Sequence, residues 1–182
     1  MLFNLFGKKD DEADNHVFVD RAYVSTVAKM KACAELAKKE PGHVFICWFA
    51  DTAVQFKEFF HQQGLDENLV TETHSLHASK LLNKIPVFVE HYPLHTKEVD
   101  LIKNWEAKNI VVYSALDEPL FRHFGSDKLI PLMKMLGMKE DEVIEHNMVT
   151  KSIIKGQEKI GQQVTLEQSA SSQEEWMRKN IK

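Results

Sequence analysis

The stretch HVFICWFADTAVQFKEFFHQQG, residues 43–64, constrains the fold of this chain more than any other part. Its first eight residues, His43 to Ala50, form an apolar run rich in β-branched and aromatic side chains. Such a run has no polar face to offer water, which is the pattern of a strand buried on both sides. It passes at once into a helical pattern in which Ala53, Phe56 and Phe60 recur before Gly64, with Asp51 or Thr52 as the expected N-cap. A doubly buried strand that feeds an amphipathic helix asks for parallel partners and a helical cover on each face.

The same alternation continues along the chain. STVAKMKACAELAKKEPG predicts a helix capped by Ser25 or Thr26, with Val27, Met30, Ala34 and Ala37 on its inner face and its end at Pro41 and Gly42. NLVTET reads as a strand, SLHASKLLN as a short helix capped by Ser75, and IPVFVE as a strand beginning beside Pro86. TKEVDLIKNWEAK reads as a helix capped by Thr96 that buries Leu101, Ile102 and Trp105, and NIVVYSA as a fourth strand. Four strands separated by helices imply right-handed crossovers and a three-layer α/β fold with a mainly parallel sheet. The expected organisation is a tail over 1–15, an α/β domain over 16–140 and a C-terminal helical extension over 141–182.

A hydrophobic content of 43% and a charged content of 27% in 182 residues suit one compact domain with an appendage. The formal charge of -4 argues against a nucleic-acid partner, since phosphate neutralisation needs clustered Lys and Arg. The basic residues after Lys151 are interleaved with Glu158, Glu167, Glu174 and Glu175 and read as a solvated face. Cys33 and Cys47 lie in apolar contexts and read as reduced core thiols. Leu2, Phe3, Leu5 and Phe6 open the chain, but the run is too short for a signal sequence and its lysines follow it. No stretch approaches the roughly 18 apolar residues of a membrane span, so no integral membrane segment and a cytoplasmic location are expected.

Sites in parallel sheets lie beyond the carboxyl ends of the strands, and the candidate cleft rim there is Asp51, Thr52, His74, His91 and Tyr113. Asp51 reads first as a helix cap. His74 and His77 flank one strand end, and His91 and His95 the next; with Glu72 or Glu90 they have the donor types of a zinc site. Two independent loops interrupted by Pro93 do not fix ligand geometry, and exposed loop histidines are the preferred reading. The chain has seven glycines and neither a G-x-x-x-x-G-K-[ST] nor a G-x-G-x-x-G motif, so no cofactor is expected.

From Tyr113 to Ile160 an ordered series appears: Ser114, Leu116, Asp117, Glu118 and Leu120, then Phe124, Gly125 and Ser126, then Gly137, Glu142, Ile144 and His146. It closes with Met148, Val149, Lys151, Ser152, Ile153, Gln157 and Lys159. This series resembles the end of the second nucleotide-binding domain of the preprotein-translocase ATPase SecA. Asp20, Tyr23, Lys29, Ala32, Gly42, Phe59, Gly64 and Leu65 follow the order of that domain's beginning. The resemblance implies a RecA-like domain followed by the start of a helical scaffold, and protein partners among translocase components.

The residues that meet ATP in that family have no counterpart here. The Gly-Arg-Gly and Gly-Arg-x-Gly-Arg-Gln-Gly motifs are missing between Pro86 and Glu118, and nothing in the 182 residues resembles the first nucleotide-binding domain. Without phosphate cradle, magnesium carboxylate or arginine finger, a non-catalytic adaptor or regulator is expected; the alternative is a small enzyme or a ligand- or metal-binding module in the strand-end cleft. The candidate interaction helix carries Met148, Val149, Ile153, Ile160 and Val164 on one stripe, with the glutamine and lysines of its sequence assigned to the other side. Docking of that stripe on the chain's own domain is the first expectation, and a second copy or another protein the other.

Overall fold

The computed structural model describes residues 17–77, 81–103, 105 and 109–181. The tail over 1–15 lies outside these residues, and so does part of the helix expected over 75–83. In chain order the elements are β1 (Val17–Tyr23), α1 (Thr26–Lys39), β2 (His43–Cys47), α2 (Ala50–Gln62), β3 (Val70–Glu72), β4 (Ile85–Phe88) and α3 (His95–Ile102). They continue with β5 (Asn109–Ala115), α4 (Pro119–His123), α5 (Ser126–Met135), α6 (Asn147–Gly161) and α7 (Gln173–Asn180). The sheet has five strands in the order β1-β5-β4-β2-β3, and every pairing is parallel. With helices on both faces this is the expected α/β architecture, consistent with a RecA-like fold.

Sequence reasoning missed β1 because VFVDRAY carries Asp20 and Arg21 where an apolar strand residue is expected. In the structure β1 pairs with β5 over its whole length, and Asp20 is buried. Its outer edge is covered at one point, where Ala22 and Ile144 exchange backbone hydrogen bonds of 3.0 and 2.8 Å, which blunts an otherwise open edge. β2 ends at Cys47, three residues before the apolar run does, because Phe49 takes the N-cap position of α2.

The helix caps are partly as expected. Ser25 caps α1 by accepting from the Ala28 amide, but neither Asp51 nor Thr52 caps α2 and Thr96 does not cap α3: those helices have no side-chain cap. The inner face of α1 is rotated relative to expectation. Val27 is 57% exposed while Ala28, Lys29, Cys33 and Ala34 are buried, because Lys29 finds a buried carboxylate.

Three apolar clusters make up the core. One lies between the sheet and α1 and α2, around Phe45, Phe56 and Phe60. Another fills the opposite face, where Phe18, Ile46, Phe88 and Val112 meet Ile102 of α3. The remaining cluster sits beyond the strand ends and joins Phe49, Leu116, Leu120 and Phe121 to Ile153, Ile160 and Trp176 of the C-terminal extension.

In α6, Ile153 and Ile160 are buried, Val149 and Val164 pack at the margin, and Met148 is 69% exposed. Lys151, Lys155, Glu158 and Gln162 face solvent. Gln157 does not join them: it lies between the two isoleucines on the inner face, 1% exposed. Gly156 is required there by close approach, since a Cβ at that position falls 2.4 Å from the ring of Phe124. Glycine to alanine in a helix interior ordinarily gains about 1 kcal/mol. Gly156→Ala is expected to reverse that sign and cost about 1–3 kcal/mol through overpacking, read as a lower urea midpoint.

Candidate functional site

The carboxyl ends of the strands hold two adjoining buried polar networks. The first is built on Lys29, which α1 turns toward the sheet. Its ammonium is 2% exposed, donates to the Val89 carbonyl at 2.5 Å and to Glu118, and stands 5.4 Å from the ring centre of Phe56. Burial opposes the charge on Lys29, but Glu118 and Glu90 outweigh it and raise its pKa. The Glu118 carboxylate, which follows β5, also accepts the Ala115 amide at 3.1 Å. Glu90 follows β4 and ties down the turn between β2 and α2. One of its oxygens accepts the amides of Trp48 and Phe49 at 2.9 and 3.1 Å, and the other the Thr52 hydroxyl at 2.8 Å. Burial pushes Glu90 up to about 7, against the pull of Lys29 and Thr52.

The second network is centred on His91, which is 2% exposed. Its Nε2 donates to Asp20 at 2.5 Å and its Nδ1 to Glu98 at 2.9 Å. Burial opposes a charge on the ring, yet Glu98 and Asp20 together hold it protonated, with a pKa well above the ordinary value. Burial pushes Glu98 up, but the imidazolium and three side-chain donors outweigh it and bring it down to about 2. Glu98 also accepts the Tyr92 amide at 2.8 Å and the Gln157 amide group at 2.9 Å, and Gln157 donates to the Tyr92 carbonyl at 2.7 Å. Asp20 Oδ2, Ser114 Oγ, Glu118 Oε2 and Gln157 Oε1 have no hydrogen-bond partner among the described residues.

The C-terminal extension closes this end of the sheet. Trp176 of α7 is fully buried between Phe49, Tyr92 and Leu120, edge-on to Tyr92 at 5.9 Å. Its indole donates to Glu167 at 2.9 Å, and the Tyr92 hydroxyl donates to the same carboxylate. Gln173 accepts the Leu120 amide at 2.8 Å and donates to the His91 carbonyl at 3.0 Å. Ser171 and Asp51 hold each other through two bonds of 3.0 Å, one of them backbone to backbone. The cleft in which a parallel sheet ordinarily takes its ligand is therefore packed with the chain's own aromatic and amide side chains.

These contacts place the expected rim residues. Asp51 anchors the C-terminal segment, Thr52 serves Glu90, and His91 is the hub of the second network rather than an exposed loop residue. His74 is exposed beside Glu72 at 3.2 Å, at the end of edge strand β3 and two strands from β4. Tyr113 is in the core on the α1 face, 4% exposed, and its hydroxyl accepts from Arg21 at 3.1 Å. The structure thus brings Asp51, Thr52 and His91 to one end of the sheet and leaves His74 and Tyr113 apart from them. Among the described residues no group of three or more His, Cys, Asp or Glu side chains is placed to hold a metal ion. Cys33 and Cys47 are buried free thiols, and burial pushes Cys33 up to about 12.

Sequence reasoning missed the buried roles of Lys29, Glu98, Glu118 and Gln157. A usable signal was the acid that directly follows each of two apolar strands, Glu90 after IPVFV and the Asp117-Glu118 pair after NIVVYSAL. Among the described residues no helix is long and apolar enough to cross a membrane.

No protein-family model matches the chain. Curated relatives match a part of it. Protein translocase subunit SecA of Acidithiobacillus ferrooxidans is 60% identical over 48 residues, which is 26% of this chain and 5% of that protein. Protein translocase subunit SecA 1 of Chlorobium chlorochromatii is 49% identical over 53 residues, and SecA of Chlorobaculum tepidum 47% over the same length, in each case 29% of this chain and 5% of the relative. The matched stretch is thus a twentieth of the relatives' own length, and this chain carries a SecA-like region.

Proposed function

We propose that the chain is a non-catalytic SecA-like protein, an adaptor or regulatory interaction domain linked to preprotein translocation and acting in the cytoplasm. The observation that carries this reading is the occupied cleft: α7 fills the strand-end site with Trp176, and Gln173 spends its hydrogen bonds there. Lys29, Glu90, His91 and Glu98 are each held between other protein groups, which suits a scaffold rather than a turnover site. The SecA-like region supplies the link to translocation, and partners among translocase components follow from it. The test is affinity capture from the source cells with a tagged full-length chain, read by mass spectrometry for SecA and its membrane channel. Their recovery supports the reading, and their absence alongside other abundant, specific partners sinks it.

The enzymatic arm is checked separately. Calorimetry with magnesium-ATP is expected to give no heat of binding, since neither network offers the cluster of Lys and Arg donors a triphosphate needs. A sub-micromolar site would overturn the non-catalytic reading.

A further inference from the structure

Residues 167–180 hold their shape by hydrogen bonds made within the segment itself. The Gln168 amide donates to the Asn180 side chain at 2.7 Å, and the Asn180 side-chain amide donates back to the Gln168 carbonyl at 2.9 Å. Lys179 donates to the Ser169 carbonyl at 3.0 Å, the Ser171 amide to Glu175 at 2.8 Å, and the Trp176 indole to Glu167. At eight residues α7 is too short to persist as an isolated helix. These bonds fold the preceding loop back along it and make the two one cassette. Residues 162–166 tie the cassette to α6, and they carry neither helix nor strand.

Against the α/β domain this cassette sits as a ligand sits in a crevice. The Ser171 carbonyl accepts the Asp51 amide at the start of α2, and Gln173 accepts the Leu120 amide at the start of α4 while donating to the His91 carbonyl beyond β4. Trp176 fills the apolar centre. Among the described residues α7 makes no backbone-to-backbone hydrogen bond to the sheet or to another helix. Its hold on the domain is one amide and one indole side chain, three positions apart on a single helical turn. Helix-in-groove recognition works through anchors at that spacing, and the crevice lies where parallel sheets take their ligands.

We infer that this crevice is a recognition groove for a short helical segment of a partner protein bearing glutamine and tryptophan at positions i and i+3, and that residues 167–180 are its resident occupant, opening as a unit to admit that segment. The inference rests on the occupied cleft and not on the link to translocation. SecA could be absent from the captured proteins and the groove would still change its occupant.

Native-state hydrogen exchange of the full-length chain reads the opening without any substitution. The α7 amides are expected to exchange about a hundredfold or more faster than those of β2 and β5, and with little dependence on urea, since a cassette that opens alone exposes little surface. Exchange of α7 only together with the sheet would make the cassette part of the domain core and overturn the proposal. Binding in trans is read by fluorescence anisotropy with a labelled peptide of residues 165–182. The peptide is expected to bind full-length Trp176→Ala, whose own cassette is released, about tenfold or more tighter than the wild type, in which the resident competes at millimolar effective concentration. Peptides carrying Gln173→Ala or Trp176→Ala should each bind about tenfold or more weaker than the native peptide. No binding to full-length Trp176→Ala, equal binding to that variant and the wild type, or a peptide indifferent to both changes overturns the proposal.

Discussion

Replacing Trp176 with alanine is expected to cost about 3–5 kcal/mol in urea unfolding, the range for removing a fully buried large aromatic side chain. The ring is 0% exposed and is the apolar centre of α7, whose other burial is the Gln173 side chain. Its loss also leaves Glu167 with one donor fewer. The effect should be confined. The clusters on the two faces of the sheet contain no residue beyond β5, so α7 contributes only to the cluster at the strand ends. The expected result is therefore a folded α/β domain with a released C-terminal segment, visible as rapid proteolysis after Gln162 while the fragment before it persists. Freed of α7, Phe49, Tyr92 and Leu120 should bind a hydrophobic dye. If Trp176→Ala keeps both its urea midpoint and its protease resistance, α7 is not held through the indole and the occupied-cleft argument fails.

The fold was legible where apolar periodicity reports burial directly. The run His43–Cys47 and the spacing of Ala53, Phe56 and Phe60 implied a parallel strand and its covering helix, and both are present. The site was legible only in part, because charged residues inside it mimic surface residues in any hydropathy pattern. Lys29 reads as the polar side of α1 until Glu118 is known to wait beneath it, 89 positions away in sequence. Asp20 hid a strand for the same reason, its partner His91 being 71 positions away. Gln157 was assigned to solvent because a lone amide between lysines looks wet, and nothing local announces that it bridges Tyr92 and Glu98. Pairing across the sheet is a long-range property, and one-dimensional spacing carries no trace of it.

His91→Leu carries the other large expected effect. It removes the cation between two carboxylates that remain buried, Asp20 at 2% and Glu98 at 3% exposure. Breaking a buried ion pair by deleting one partner costs about 3–5 kcal/mol, because the uncompensated charge stays behind. The pH dependence separates this electrostatic loss from a packing defect. In the wild type, Glu98 is brought down from 4.5 to about 2, so its contribution is fully present above pH 4.5 and is lost as pH falls toward 2. His91 is raised well above 6.5, so its contribution is present below pH 6.5 and is lost as pH rises through the folded value. Glu90, raised from 4.5 to about 7, likewise favours the folded state below pH 4.5 and ceases to do so as pH rises through 7. Wild-type stability in urea is therefore expected to peak near about pH 5 and to decline on both sides. In His91→Leu the acid limb should invert: Glu98, left without its cation, holds its proton more tightly folded than unfolded, so the variant keeps gaining stability as pH drops from 7 to 4, past the wild-type maximum. A deficit that stays constant over that range would mean that His91 acts by filling space, and the charged network proposed around it would not be what holds β1, β4 and α3 together.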